Sequence, residues 1–309
     1  MREDWQQLIE TTVQNKCLQN TYAWEPFARG SSNSIFLGRL KSENGAFVNN
    51  KPSAEIDTKQ NKLAESTVVL RINAPLKDTP GVKRDREAAI LNWINPYGWA
   101  PQVIRNEPEQ GWCLMHHYEP LKTEGDKLSS DHQIQLIKAL DELQAIPVDS
   151  EPANLSNEES NLRLTKNALT MDYEVFLNET YLPLAIQRSD AVAQTWIHSI
   201  KDDLATLPKL PSCLVHHDIH SGNLVLSNSP LQTKELNANL IILDWEYAAI
   251  GNPWFDASCL SRYLSIPAQG IYSLSMFKTL DETVFKSALK QANHMTEVLQ
   301  DLWHWARER

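Results

Sequence analysis

The period of apolar and polar positions changes near residue 120. Before it, short β-branched and aromatic runs alternate with polar turns. WEPFARG (24–30) and SNSIFLGRL (32–40) predict two strands around a turn at 30–33, and STVVLRIN (66–73) predicts a buried third strand. The polar stretch 41–65 between them predicts a long hairpin insertion. A helix follows in VKRDREAAILNWI (82–94). There Glu87, Ile90, Leu91 and Ile94 fall at i, i+3, i+4 and i+7, so a carboxylate shares the apolar stripe. APQVIRNEPEQGWCLMHHY (100–118) then reads as two strands around a turn.

Beyond Tyr118 the spacing becomes helical. SSDHQIQLIKALDELQAIP (129–147) is amphipathic, with Ser and Asp near its start and Pro147 after its end. Residues 148–167 predict a polar loop, and 170–206 more helix. Short strands are expected in CLVHH (213–217), NLVLS (223–227) and NLIILDW (239–245), the last two separated by the turn-rich 227–239. From about 254 to the closing DLWHWARER the pattern is helical again. The prediction is α+β: a β-rich first lobe over 1–117, a connector near 117–127, and a mostly helical second lobe within 118–309.

Composition narrows this picture. The chain has 309 residues, 42% of them hydrophobic, enough for one large domain or two lobes sharing a cleft. A net charge of −10 without any Lys/Arg-rich block excludes the usual electrostatic footprint for nucleic acid. The four cysteines are scattered with no CxxC pair, against a zinc ribbon or a disulfide framework. The first residues lack a signal-peptide apolar core, and no run reaches the roughly 18 apolar residues of a membrane span. A cytoplasmic protein without membrane partners is expected.

Candidate chemistry concentrates in HHDIHSGN (216–223). Asp218 and Asn223 have the D-x-x-x-x-N spacing of a kinase catalytic loop, with His216 two positions before the Asp. Phosphoryl transfer needs a carboxylate near the acceptor hydroxyl and oxygen ligands for Mg²⁺. Asp244, ending the apolar run LIILD, supplies a second carboxylate. A zinc reading of His216, His217 and His220 is weaker, because adjacent histidines point in different directions and no Cys/His set at ligand spacing supports them. In the first lobe, Ser31, Ser32 and Asn33 form a small-residue turn suited to phosphates. Arg71 lies mid-strand, where a permanent charge demands a partner, and Glu87 is the natural one.

RGSSNSIF, VVLRIN, REAAILNWI, HHDIHSGNLV and LDWEYAAIGNPWFD, in that order over about 24–260, resemble the aminoglycoside phosphotransferase/choline kinase superfamily. In its motifs the chain is nearest to bacterial thiamine kinase-like and choline kinase-like proteins. The resemblance implies a bilobal protein-kinase-like fold using ATP and Mg²⁺. It implies Asp218 as catalytic base or acceptor-orienting carboxylate, and Asn223 and Asp244 as metal ligands. Arg71 would sit on the nucleotide phosphates, oriented by Glu87, with the connector 113–118, including Met115 and His117, against adenine. Arg in place of the Lys of protein kinases keeps the role through its planar fork.

The acceptor would be a small alcohol: cationic thiamine or choline/ethanolamine first, an aminoglycoside or methylthioribose-type sugar second. Trp245, Glu246, Tyr247 and Trp254, beside or after Asp244, are candidates to border it, since a cation over aromatic rings gains about 0.5–2 kcal/mol per contact. Asp256 in GNPWFD reads instead as a brace for the loop. The readings from other classes are a non-catalytic nucleotide-binding protein of the same shape and a zinc hydrolase.

Overall fold

The computed structural model describes residues 4–29, 33–41, 67–121, 127–148, 165–227 and 240–308. Ser31 and Ser32, residues 42–65 of the predicted insertion, and most of the loops 148–167 and 227–239 lie outside them. The chain divides into two compact units: Met1–Thr79 with Pro101–Tyr118, and Pro80–Ala100 with Glu119–Arg309.

The first unit opens with α1 (Asp4–Thr12) and α2 (Lys16–Thr21). Five antiparallel strands follow: β1 (Tyr22–Arg29), β2 (Ser34–Leu40), β3 (Thr67–Ile72), β4 (Val103–Glu107) and β5 (Trp112–His116), ordered β1-β2-β3-β5-β4. The period of two puts Val68, Leu70 and Ile72 on one face, where they pack with Tyr22, Phe36, Trp112 and Leu114. The helices were not expected from the strand-rich pattern. In α1, Trp5 and Ile9, with Val13 just past its end, are spaced i, i+4, i+8 and lay one stripe on the same core, and Leu18 of α2 packs against it. Gly38 is required in β2, because a Cβ there would meet the Trp24 ring at 2.5 Å.

The second unit begins with α3 (Arg84–Ile94), whose predicted stripe of Glu87, Ile90, Leu91 and Ile94 is buried throughout. Next come β6 (Glu119–Pro120), α4 (Ser130–Gln144), α5 (Lys166–Leu169), α6 (Tyr173–Thr180), α7 (Leu182–Gln187) and α8 (Ala191–Thr206). Then follow β7 (Cys213–Val215), β8 (Leu224–Leu226), β9 (Leu240–Ile242) and β10 (Ala249–Gly251), with α9 (Trp254–Arg262), α10 (Ala268–Tyr272) and α11 (Glu282–Arg307) closing the chain. Side-chain oxygens of Ser129, Asp172, Asp190 and Asp281 cap α4, α6, α8 and α11. Strands β6, β8 and β9 form one antiparallel sheet, and β7 pairs with β10 in another. The fold class is α+β, with an antiparallel sheet first and helices dominating afterwards, as the periodicity predicts.

Among the described residues no helix is long and apolar enough to cross a membrane. Cys17 is exposed, whereas Cys113, Cys213 and Cys259 are buried thiols.

Candidate active site

Strand β7 carries three fully buried residues and then releases the chain into 216–223, which returns through a 3-10 turn, Ser221–Asn223, into β8. Polar side chains hold this loop through its backbone. His216 is fully buried, and its Nε2–H donates to the Leu243 carbonyl (2.9 Å) while its Nδ1 accepts the Asp218 N–H (3.2 Å). That pattern requires the neutral ring. Burial holds the His216 pKa below the usual imidazole value, against the pull of Asp218 and Asp244.

Asp256, on the first turn of α9 and fully buried, accepts the His216 N–H at Oδ2 (3.0 Å) and the His217 N–H at Oδ1 (2.9 Å). Burial pushes its carboxyl up to about 7, against those two bonds. The brace anticipated for Asp256 is thus a pair of backbone bonds.

Asn223 donates from Nδ2 to the Asp218 carbonyl (2.8 Å) and, more distantly, towards Asp218 Oδ2 (3.4 Å). With its nitrogen so engaged, the amide presents Oδ1 on its other side. The antiparallel register pairs Leu224 with Ile242, and the Leu243 N–H donates to the Asn223 carbonyl (2.8 Å). The same end of the β8–β9 pair therefore carries Asn223, entered from the loop that holds Asp218, and Asp244, which follows Leu243. Asp244 has φ 62°, a left-handed conformation that a residue with a Cβ adopts rarely. Two carboxylates and an amide oxygen are hard donors, the chemistry that suits Mg²⁺.

The three histidines go to separate partners. His216 joins the loop's backbone network, His217 Nε2 lies 2.7 Å from Tyr173 Oη, and His220 Nδ1 accepts the Gly222 N–H (3.1 Å). Among the described residues, no group of three or more His, Cys, Asp or Glu gathers as a metal site.

Of the aromatic candidates, Trp245 and Trp254 are both fully buried. Trp245 donates to the Ile242 carbonyl and stacks on Trp99, with ring centroids 5.8 Å apart. Trp254 donates to the Pro208 carbonyl and packs against Phe277 and Phe285. Neither ring is open to an acceptor in this arrangement; both are core. Glu246 is buried. Tyr247 is half-buried and accepts the Trp303 indole N–H (3.3 Å). Burial raises its phenol pKa first, then Glu246, Asp218 and Asp244. Tyr263 lies in the same surroundings, raised by burial and by charges that include Asp218, and its hydroxyl donates to Gln300 (3.2 Å). Sequence reading missed Tyr263 and Tyr173, which stand 45 residues after and 45 before Asp218 in a motif-free context.

In the first unit, Asn33 is buried and its Oδ1 accepts the Ala74 N–H (2.9 Å), so this side chain shapes the backbone after β3. Arg71 is buried mid-strand, across from Ile35 on one side and Cys113 on the other. Met115 sits between Val69 and Val103, and His117 meets the Phe27 ring edge-on at 5.6 Å.

The described architecture is shared with solved kinases. A Plasmodium vivax ethanolamine kinase superposes with a TM-score of 0.57 at 13% identity, covering 93% of this chain and 77% of that one. The choline kinase LicA from Streptococcus pneumoniae gives 0.56 at 15% identity, covering 96% and 90%. An ADP-bound aminoglycoside phosphotransferase gives 0.55 at 14% identity, covering 97% and 92%. At such identities the likeness is one of fold, the protein-kinase-like fold that the sequence motifs imply. No curated protein matches the sequence. The model of the phosphotransferase enzyme family does match, over residues 53–289, and includes the whole of 216–223 and Asp244. The chain therefore belongs to the phosphotransferase enzyme family.

Proposed function

We propose that this phosphotransferase moves the γ-phosphate of ATP to the hydroxyl of a small molecule, with thiamine or choline/ethanolamine first among the acceptors. The observation that carries the reading is the Asn223 amide, whose nitrogen donates to the Asp218 carbonyl and reaches towards the Asp218 carboxylate, turning its oxygen to the other side. Asp218 orients the acceptor hydroxyl and takes its proton as the phosphorus–oxygen bond forms. Asn223 and Asp244 are the residues that would hold Mg²⁺. When bound, that ion would supply neutralisation of the phosphate charge. Arg71, with Asn33, Met115 and His117, serves the nucleotide. No covalent intermediate on the protein is needed, so catalysis is positioning plus electrostatics.

A cationic acceptor is favoured by the surroundings of Tyr247, an aromatic ring within reach of three carboxylates: Glu246, Asp218 and Asp244. Likeness to an ethanolamine kinase and a choline kinase supports the same choice. An aminoglycoside, a larger polycationic alcohol, is the second reading, because those carboxylates suit it equally.

The test is ATP consumption against thiamine, choline, ethanolamine, methylthioribose and aminoglycosides, with Mg²⁺ present or chelated. Turnover of one acceptor that stops on chelation is the expected result. Absence of both turnover and Mg·ATP binding would refute the reading.

A further inference from the structure

Behind the catalytic loop stands a side chain that the phosphotransfer chemistry does not use. Tyr173 opens α6, and the strand-like segment before it is tied to β10: Thr170 bridges Ile250, and the Met171 N–H donates to the Ile250 carbonyl (2.9 Å). The phenol ring stacks on Phe255 with centroids 4.5 Å apart and planes 9° apart. Its Oη accepts the Asn252 N–H (2.8 Å) and lies 2.7 Å from His217 Nε2. With Asn252 already donating to that oxygen, all three groups are satisfied when the phenol donates its own hydrogen to Nε2. His217 is then a neutral ring protonated at Nδ1, on the side where the Val215 and Tyr247 backbones lie. Burial first, and the nearby Arg86 second, lower the His217 pKa to about 3, so it stays neutral at any working pH.

His217 is the residue immediately before Asp218, and its φ is 71°. A side chain resists that left-handed conformation unless its surroundings hold it there. Asp256 fixes the His217 N–H from one side. We propose that Tyr173 is a positioning residue for Asp218: its hydroxyl holds the His217 ring, and the held ring sets the direction in which Asp218 leaves the loop. This rests on the phosphotransfer role of Asp218 given above. Gly251 belongs to the same device, since a Cβ there would collide with Tyr173 Oη and press on His217 at 3.3 Å.

Tyr173→Phe keeps the stack on Phe255 and deletes only the hydroxyl, whereas Gly251→Ala displaces the hydroxyl without deleting it. In each variant the His217 and Asp218 amides should exchange with solvent about tenfold faster, the scale of one lost hydrogen bond. The kcat should fall by about the same factor, with the KM for ATP unchanged. Tyr173→Phe removes the atom that the methyl group added by Gly251→Ala would strike hardest, leaving only the lighter contact with His217. The double variant should therefore lose less than the product of the two single losses, a coupling that independent structural damage would not produce. Wild-type exchange and kcat in Tyr173→Phe, or effects that multiply in the double variant, would overturn the proposal. If the wild-type protein phosphorylates none of the acceptors, the exchange rates alone decide, and the phosphotransfer reading fails separately.

Discussion

The sheet of the first unit and the segment 213–256 of the second are both made of short strands, yet they are held by different forces. In the sheet, cohesion comes from apolar faces: Val68, Leu70, Ile72, Trp112 and Leu114 are buried on an alternating pattern. In segment 213–256 the decisive bonds run from side chains to backbone. Asp256 bonds the 216 and 217 amides, His216 joins Leu243 to Asp218, and Asn223 holds the Asp218 carbonyl. An apolar face tolerates small shifts, because hydrophobic burial has no direction. A carboxyl group whose two oxygens each accept a specific N–H does not. The chemistry proposed for Asp218, which depends on where its carboxylate points, would rest on the second kind of support.

The contrast can be broken at its most exposed point. Asp218→Ala should lower kcat by about 10²–10⁴, the range for losing a general base. Its side chain is 37% exposed, so thermal stability should be unchanged. An active variant would show that another carboxylate does the work. Leu70→Ala in β3 should do the reverse. Its side chain is 1% exposed, so urea unfolding should show about 2–5 kcal/mol of lost stability. The residual folded fraction should retain its kcat.

Asp256→Ala sharpens the comparison, because it touches both properties. Two buried N–H groups lose their acceptor, which should destabilise by about 1–3 kcal/mol and lower kcat as well. A variant that loses stability but keeps kcat would mean that the loop does not need this brace.

The gentlest probe is pH. Asp256 holds its proton in the folded state up to about 7, above its ordinary value of 3.8. The unfolded chain releases that proton first, so the contribution is present below pH 4 and is lost as pH rises towards 7. The slope should be at most about 1.4 kcal/mol per pH unit. Unfolding measured across pH 4 to 8 should show the wild type losing stability relative to Asp256→Asn, and parallel curves would contradict the buried proton.

These two modes of support also explain what could be read from the chain. Strands such as VVLRI and the stripe Glu87–Ile90–Leu91–Ile94 announce themselves, since burial writes a period into the sequence. D-x-x-x-x-N is legible for a related reason: the loop is short, so spacing fixes geometry. Tyr173 is not legible, because 44 residues separate it from His217 and no local pattern links them. Strand β10 is only Ala249–Gly251, too short to carry alternation. The Trp-rich stretch after Asp244 reads two ways in the sequence for a simpler reason. Trp245 and Trp254 look like pocket aromatics in one dimension, but an indole whose N–H finds a backbone carbonyl is at home in a core.

The distribution of thiols has a practical use. Cys113, Cys213 and Cys259 are buried, and burial raises the pKa of the last two further from the reactive thiolate. Cys17, exposed on α2, is left as the natural attachment point. A maleimide dye should therefore label the native chain once, at a helix remote in sequence from 216–223. A single probe could then be attached without engineering a cysteine.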